Sequence, residues 1–404
     1  MKKEFLLSIV IPTKNRERYA KATIEQILNI NDDRIQVVVQ DNSDSCLLPG
    51  LLVKYNDDNR LKYVYKKGTI SFVENFDLAI SNADGEYLCI IGDDDGIVPQ
   101  IVDVVLWAKN NNVDAIKPEL NAIYFWPNSE ALRNKVDDGY LSISRITTKA
   151  KICNPYYEVE KLLNQGAQRY LSLDLVKLYH GVVRRDCLEK IKDITGKYFG
   201  GLSPDIYISV ALSLSVEKMI KLDFPLTISG ICNKSGSSDS ATGRHTGNLE
   251  DAPHFRGHGT YVWSENVPEF YSVDTIWADS ALAAIKDLNR FDLLEKFNVE
   301  FLAINCIIKY PQFKGLILKF YKSYLREKGI YTIRRTGTFF TYGIKGLFKK
   351  IKVKFWPKQT ENYYVNGIKN IMKADITLQK KLLEDGINTN MVISSLDELN
   401  QFRN

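Results

Sequence analysis

Over roughly its first 120 residues the chain alternates two kinds of segment, and this alternation limits what it can fold into. Five runs read as strands, IQVVVQD (35–41), LKYVYK (61–66), EYLCIIG (86–92), VDAIKP (113–118) and LLSIVIP (6–12), the last of them continuously apolar. A strand buried on both faces reads this way, whereas a half-exposed strand alternates. Between them lie segments with apolar residues at helical spacing: Ala20, Ile24, Ile27 and Leu28 in one, Phe72, Phe76, Ala79 and Ile80 in the next. A third, PQIVDVVLWAKNN, begins with Pro99 near its first turn. Strand, helix, strand at this spacing predicts an α/β fold with a mostly parallel central sheet, right-handed crossovers and helices on its faces.

Beyond this region the pattern loosens. YLSLDLVKLYHGVVRRDCLEKI reads as strand pieces followed by a helix, and Ser203-Pro204 is a good helix entrance. A polar, Gly- and Ser-rich stretch follows, CNKSGSSDSATGRHTGNLED, which suits a functional loop. From about residue 270 the signals are mainly helical. Charge is unevenly placed. Lys309 to Lys358 holds eleven Lys, three Arg and one Glu, a net +13 in a chain of net +5, so the remainder carries −8. This basic stretch is interleaved with Phe, Tyr and Trp, as in a segment lying on an anionic bilayer. A nucleic-acid surface and a plain solvated face are its rivals. Six cysteines without a CxxC pair fit neither a zinc site nor a disulfide framework and suit a reducing cytoplasm. The opening MKKEFLLSIVIPTKN is too short in its apolar run for a signal peptide and reads as a first strand. No run approaches the ~18 apolar residues of a membrane span.

The most unusual residues are Asp93, Asp94 and Asp95, in EYLCIIGDDDGIVP. Three adjacent carboxylates repel one another, and GDDDG also suits a solvated turn. Their position argues for more. They end the fourth strand, as Pro12-Thr13 ends the first and Asp41-Asn42 the second, and ligands of parallel sheets bind at these carboxyl ends. A carboxylate cluster there can hold a hard divalent cation, Mg2+ or Mn2+, together with phosphate oxygens.

LSIVIPTKNR, VVVQDNSD, ENFDLAISNADGEYLCIIGDDDG and HGVVRRDCLEKI occur in order. Together they resemble the nucleotide-sugar domain of the inverting glycosyltransferases of family 2, of bacterial surface-glycan type, over roughly residues 5–235. The resemblance implies the GT-A fold, a Rossmann-like, mostly parallel sheet flanked by helices, here with a mainly helical C-terminal region. It implies a catalytic domain over 1–235, a flexible active-site loop over 236–265 and a helical region over 266–404. Pro12 and Thr13 would then touch the nucleoside, and Asn15 or Arg16 would lie near the diphosphate. Asp41, with Asn42 beside it, would reach the base, uracil for a UDP-sugar donor. Asn75 would face the nucleotide, Asp93 the ribose or sugar, and Asp94 the donor, while Asp95 would bind the metal directly. Asn15 and Asn42 serve equally well as cap or turn residues.

Inverting transfer needs a general base for the acceptor hydroxyl. Family members often carry a Glu-Asp pair at the start of a helix; FGGLSPDIYIS offers Asp205 for the Asp, with Pro204 in place of the Glu. A first-turn carboxylate favoured by the helix dipole is the plain alternative. In the polar loop Arg244 is expected at the diphosphate and His245 at the metal, with His254 and His258 competing. The expected activity is metal-dependent transfer of a hexosyl or N-acetylhexosaminyl group from a nucleotide sugar to a surface polysaccharide, lipopolysaccharide or teichoic-acid-like acceptor. That places the chain in the cytoplasm, with the basic segment 309–358 against the inner face of the membrane and no nucleic-acid partner. A sugar-phosphate nucleotidyltransferase and a non-catalytic carbohydrate-binding scaffold are the alternatives; PTKNRERY has no glycine and makes a poor phosphate cradle.

Overall fold

The computed structural model describes residues 5–129, 138–233, 246–249, 253–255, 261–329 and 362–401. The apolar runs form the centre of an eight-stranded sheet. β1 (Leu7–Thr13) pairs in parallel with β2 (Ile35–Asp41) on one side and β4 (Tyr87–Ile90) on the other, and β3 (Leu61–Tyr65) extends β2. The register sets Thr13 level with Asp41 and Asp41 level with Tyr65, so these strands end on one rim.

Past β4 the sheet departs from the all-parallel expectation. β10 (Val182–Arg184) runs antiparallel between β4 and β6 (Ala115–Pro118), so the fifth apolar run is one place further out than its order in the chain suggests. Val182 and Val183 are fully buried, which suits them to an interior position. β11 (Met219–Leu222) pairs in parallel with β6, and β9 (Ala150–Cys153) closes the edge antiparallel. A second, five-stranded sheet joins β15 (Tyr363–Asn366), β8 (Tyr140–Ile143), β7 (Ala122–Phe125), β12 (Thr227–Ile231) and β5 (Gly96–Ile97), in that order.

Helices cover both faces of the main sheet. α1 (Glu17–Leu28) and α4 (Ile101–Asn110) bury Ile24, Ile27, Ile101 and Val105 with Ile9 and Val37. On the other face α3 (Phe72–Ser81), α6 (Arg185–Thr195) and α7 (Pro204–Ser213) bury Phe76, Leu188 and Ile208 with Val10, Val38 and Leu88. Apart from Asp205, every residue of α7 is buried, and most of them are apolar, as an enclosed helix requires. Its outer side, through Ile206, Tyr207 and Val210, joins a second core made with α5 (Pro155–Asn164), α8 (Val273–Asp287), α10 (Val299–Lys309) and α11 (Lys314–Glu327).

The region 266–404, expected as one helical unit, divides between two cores. α8, α10 and α11 stay in the helical layer, whereas α12 (Ile371–Glu384) and α13 (Thr389–Gln401) return to the first core. The reason is visible in α12: Ile371, Ala374, Leu378 and Leu382 recur at helical spacing and are all buried. Gln26 of α1 donates to Asp375 (2.9 Å), and Trp107 of α4 donates to Asp397 (2.6 Å), tying both helices down. No helix among the described residues is long and apolar enough to cross a membrane. Of the basic stretch, α11 is described; it buries Ile317, Tyr321 and Leu325 and exposes Lys314, Lys319, Lys322 and Arg326. Residues 330–361 lie outside the described residues.

Candidate active site

The rim at the carboxyl ends of β1 and β4 gathers the carboxylates. Asp93, Asp94 and Asp95 are 2%, 4% and 2% exposed, so GDDDG is no solvated turn. Their backbone is held from outside: the Thr23 hydroxyl of α1 donates to the carbonyls of Asp93 (3.0 Å) and Asp95 (2.6 Å), and the Trp126 indole donates to that of Asp94 (2.8 Å). β12 approaches so closely that a Cβ on Gly230 would lie 1.8 Å from the Asp94 carbonyl oxygen. Glycine is the residue that permits such contact.

The three side chains have different surroundings. Asp95 faces inward. Its Oδ1 accepts from Gly230 N (2.6 Å) and its Oδ2 from Gly92 N (2.6 Å) and the Tyr179 hydroxyl (3.0 Å), with His180 Nε2 at 3.4 Å. Asp93 accepts from the Thr13 hydroxyl at 2.5 Å through Oδ2. Its Oδ1, and Oδ2 of Asp94, are buried and take no hydrogen bond of good geometry; each instead meets a nitrogen of the Arg16 guanidinium at 3.0 Å. Arg16, expected at a diphosphate, therefore lies between the two aspartates. Burial pushes the carboxyls of Asp93 and Asp94 up, opposed by Arg16. Burial alone would lower the Arg16 pKa, but the two carboxylates outweigh it and hold the guanidinium charged.

The neighbouring strand ends serve mainly as scaffold. Asp41 is fully buried, and its carboxylate accepts from Ser43 N (2.8 Å) and the Tyr63 hydroxyl (2.7 Å). Asn42 donates to the carbonyls of Lys66 (2.7 Å) and Gly68 (2.8 Å). Asn15, with φ of 55°, clasps Asp44 through both ends of its amide at 2.8 Å. These are the turn roles weighed from the sequence. Pro12 is buried in β1, level with Gln40. Asn75 reaches the Thr13 carbonyl at 3.5 Å, and its buried Oδ1 has no partner.

Asp205 sits in the first turn of α7, half-buried, and its carboxyl makes no hydrogen bond among the described residues. Burial pushes it up to about 6, with Lys177 pulling the other way. Burial, with the charges of Asp95, Asp94 and Asp205, raises the pKa of the Tyr179 hydroxyl that bonds Asp95. Arg244, His245 and His258 lie outside the described residues. His254 packs against the rings of Phe72 and Tyr271. Among the described residues the histidine that reaches the triplet is His180, which sequence reasoning passed over. Its Nδ1 is 2.9 Å from the Thr227 hydroxyl, and burial lowers its pKa against the pull of Asp95. Tyr179 and Thr23 were likewise missed, because nothing in their local sequence marks them.

Among the described residues no three His, Cys, Asp or Glu side chains gather into a complete metal cage. The two oxygens of Asp93 and Asp94 that meet Arg16 are nevertheless a fitting donor pair. Mg2+ commonly takes one or two carboxylates and completes its shell with phosphate and water. Asp95 already accepts three hydrogen bonds, two of them through Oδ2.

Solved structures with a similar outline include Staphylococcus aureus TarS 1-349 in complex with UDP-GlcNAc. It is 13% identical and covers 81% of this chain and 93% of that one, with a TM-score of 0.46. A longer TarS structure is 14% identical, covering 78% and 54%, with a TM-score of 0.44. A curated relative from Haemophilus influenzae, described as an uncharacterized glycosyltransferase, is 22% identical over 213 residues. The match spans 48% of this chain and 65% of the relative's length. Residues 8–152, from β1 through β9, match the family model for glycosyl transferase family 2. That segment, which carries β1, Arg16 and the aspartate triplet, is what the chain shares with glycosyl transferase family 2.

Proposed function

We propose that the chain is an inverting glycosyltransferase that moves a hexosyl or N-acetylhexosaminyl group from a nucleoside diphosphate sugar, read as a UDP-sugar, to an acceptor hydroxyl. One observation carries the reading. Three buried carboxylates at the end of β4 meet Thr13 and Arg16 at the end of β1, and Asp205 stands in the first turn of α7 with its carboxyl unbonded among the described residues.

The donor would lie along this rim, its nucleoside against Pro12, Thr13, Asp41 and Asn75. α1 begins immediately after Arg16, and the positive end of its dipole favours an anion there. Arg16 can serve that anion only by loosening its hold on Asp93 and Asp94. Mg2+ or Mn2+ would be held by the oxygens of those two residues that face Arg16, with Asp95 or His245 as further ligands, and would stabilise charge on the departing diphosphate. Asp205 takes the proton of the acceptor hydroxyl as its oxygen forms a bond to the anomeric carbon. The bond to the diphosphate breaks on the opposite face, so the configuration inverts. A carboxyl pushed up to about 6 is still ionised at neutral pH and more basic than an exposed aspartate. A surface polysaccharide, lipopolysaccharide or teichoic-acid-like acceptor remains our reading of the substrate class. The exposed lysines of α11 support contact with anionic lipid near such an acceptor.

The test is release of UDP from a panel of UDP-sugars with Mn2+. Asp205→Asn should abolish release while leaving UDP binding near the wild-type level; substantial release by this variant refutes the assignment. Pyrophosphate-linked synthesis from UTP would instead indicate a nucleotidyltransferase, and no turnover in either assay a scaffold. Mn2+ binding to Asp93→Asn, Asp94→Asn and Asp95→Asn identifies the ligands. Liposome flotation with and without residues 309–358 tests membrane contact, and equal flotation sinks it.

A further inference from the structure

Beyond the last paired residues of β1 and β2, the two chain segments stay fastened to each other. Asn42 N donates to the Thr13 carbonyl (3.0 Å), Asn15 N donates to the Ser43 hydroxyl (2.7 Å), and Asn15 and Asp44 exchange two bonds of 2.8 Å. Lys14 adds a further link that the mechanism above does not use: its Nζ donates to Asn42 Oδ1 at 3.2 Å. The Asn42 amide is fixed from its other end, where Nδ2 donates to the carbonyls of Lys66 (2.7 Å) and Gly68 (2.8 Å), and the residue is 2% exposed. The Lys14 ammonium is therefore seated at a set point between the two strand ends.

Its charge is not matched there. Among the described residues no carboxylate ion-pairs with Lys14; its partner is a neutral amide oxygen. Asp41 is turned to Ser43 and Tyr63, and Asp44 to Asn15. Arg16, two residues on, is committed to Asp93 and Asp94. Lys14 is half-buried, follows Thr13 directly and stands level with Asn42, on the rim where ligands of parallel sheets bind. An ammonium carries more N–H donors than the Asn42 oxygen uses, so it can meet an incoming acceptor without leaving its seat.

We propose that Lys14, seated on Asn42, is a binding residue for the donor: its ammonium donates to an oxygen of the nucleotide, on the nucleoside or on the phosphate that follows it. The role rests on the reading of this rim as a donor site. It differs from that of Arg16 in one respect. Arg16 has to loosen an ion pair with two buried carboxylates before it can serve an anion, whereas Lys14 strands no acid when the donor arrives. Asn42 then does more than hold a turn, because its Oδ1 places the ammonium.

The experiment is calorimetric titration of the full chain with uridine, UMP and UDP at about 0.15 M salt, where distant charges are screened. Lys14→Met keeps the stem without the charge and should weaken UDP binding about tenfold. Lys14→Arg should recover most of the loss. Lys67→Met removes the same charge from an exposed position just past β3 and should leave UDP affinity unchanged. An equal loss in Lys67→Met overturns the proposal, since it reports a general field and not a contact. Uridine weakened by the same factor as UDP puts the contact on the nucleoside, and uridine unaffected puts it on phosphate. UDP affinity untouched by Lys14→Met overturns the role of Lys14 alone. Wild-type protein that binds none of the three overturns the donor reading, and this role with it. Should Lys14→Met fail to fold, acetylation of the wild-type chain by acetic anhydride, read by peptide mass spectrometry, supplies the measurement. UDP should slow labelling of Lys14 several-fold and leave Lys67 unchanged, and an equal effect on both overturns the proposal.

Discussion

Asp205→Asn should make the protein more stable at pH 8 while removing its turnover. The Asp205 carboxyl is pushed up from 3.8 to about 6 because burial disfavours its ionised form. The folded state therefore binds this proton more tightly than the unfolded chain. The advantage is complete below pH 3.8 and is lost as pH rises through about 6. Linkage over that interval amounts to about 3 kcal/mol at pH 8 and about 0.5 kcal/mol at pH 4. Asparagine never ionises, so the variant escapes the penalty. The solvent exposure that Asp205 keeps trims the gain towards about 2 kcal/mol. Unfolding entropy of about 2.1 cal/mol/K per residue gives about 1.2 °C per kcal/mol for a chain of 404 residues. The expected rise in melting temperature is thus about 2–4 °C at pH 8 and under about 1 °C at pH 4. Paired thermal melts at the two pH values measure it. A variant no more stable than wild type at pH 8, or equally stabilised at both, refutes the reasoning, since a gain independent of pH cannot come from ionisation.

Arg16→Met should destabilise the protein by about 3–5 kcal/mol at pH 8, because it strands two buried carboxylates. The loss should shrink at pH 5, where carboxyls pushed up by burial take up protons; melts at both values test the sign. Gly230→Ala forces β12 away from the Asp94 carbonyl and breaks the bond to Asp95, costing about 1–3 kcal/mol or more and weakening UDP binding, read by melting and titration. Leu378→Asp, in the buried stripe of α12, should abolish soluble expression, whereas Leu383→Asp, at a position 78% exposed, should leave it unchanged.

The sheet centre was legible because strands buried on both faces have to be apolar throughout, and β1, β2 and β4 are. The placement of β10 was not, since two valines look alike in an edge or a central strand. Neither was the return of α12 and α13. The stripe of Ile371, Ala374, Leu378 and Leu382 announces a buried helix face, but periodicity says nothing about which surface covers it. At the site, strand ends gave away Thr13, Asp93, Asp94 and Asp95, because topology alone brings them to one rim. Asn15 and Asn42 proved to hold turns together, as their residue type allowed. His180 was hidden, because it matters through contacts with residues far along the chain.

The repulsion among Asp93, Asp94 and Asp95 is managed by dividing them. Asp95 turns inward, where the N–H groups of Gly92 and Gly230 and the Tyr179 hydroxyl meet its charge with aligned dipoles. That leaves two carboxylates on the ligand side, and Arg16 alone sits between them. A site built in this way is stable with nothing bound, because a cation already occupies the position that two buried acids require. On the reading proposed above, a divalent ion would compete with Arg16 for the same oxygens. Binding the ion is favourable only if the displaced guanidinium finds another anion, and a diphosphate brought to the start of α1 is such an anion. Donor and metal should therefore strengthen each other's binding, by an amount that Arg16→Met diminishes.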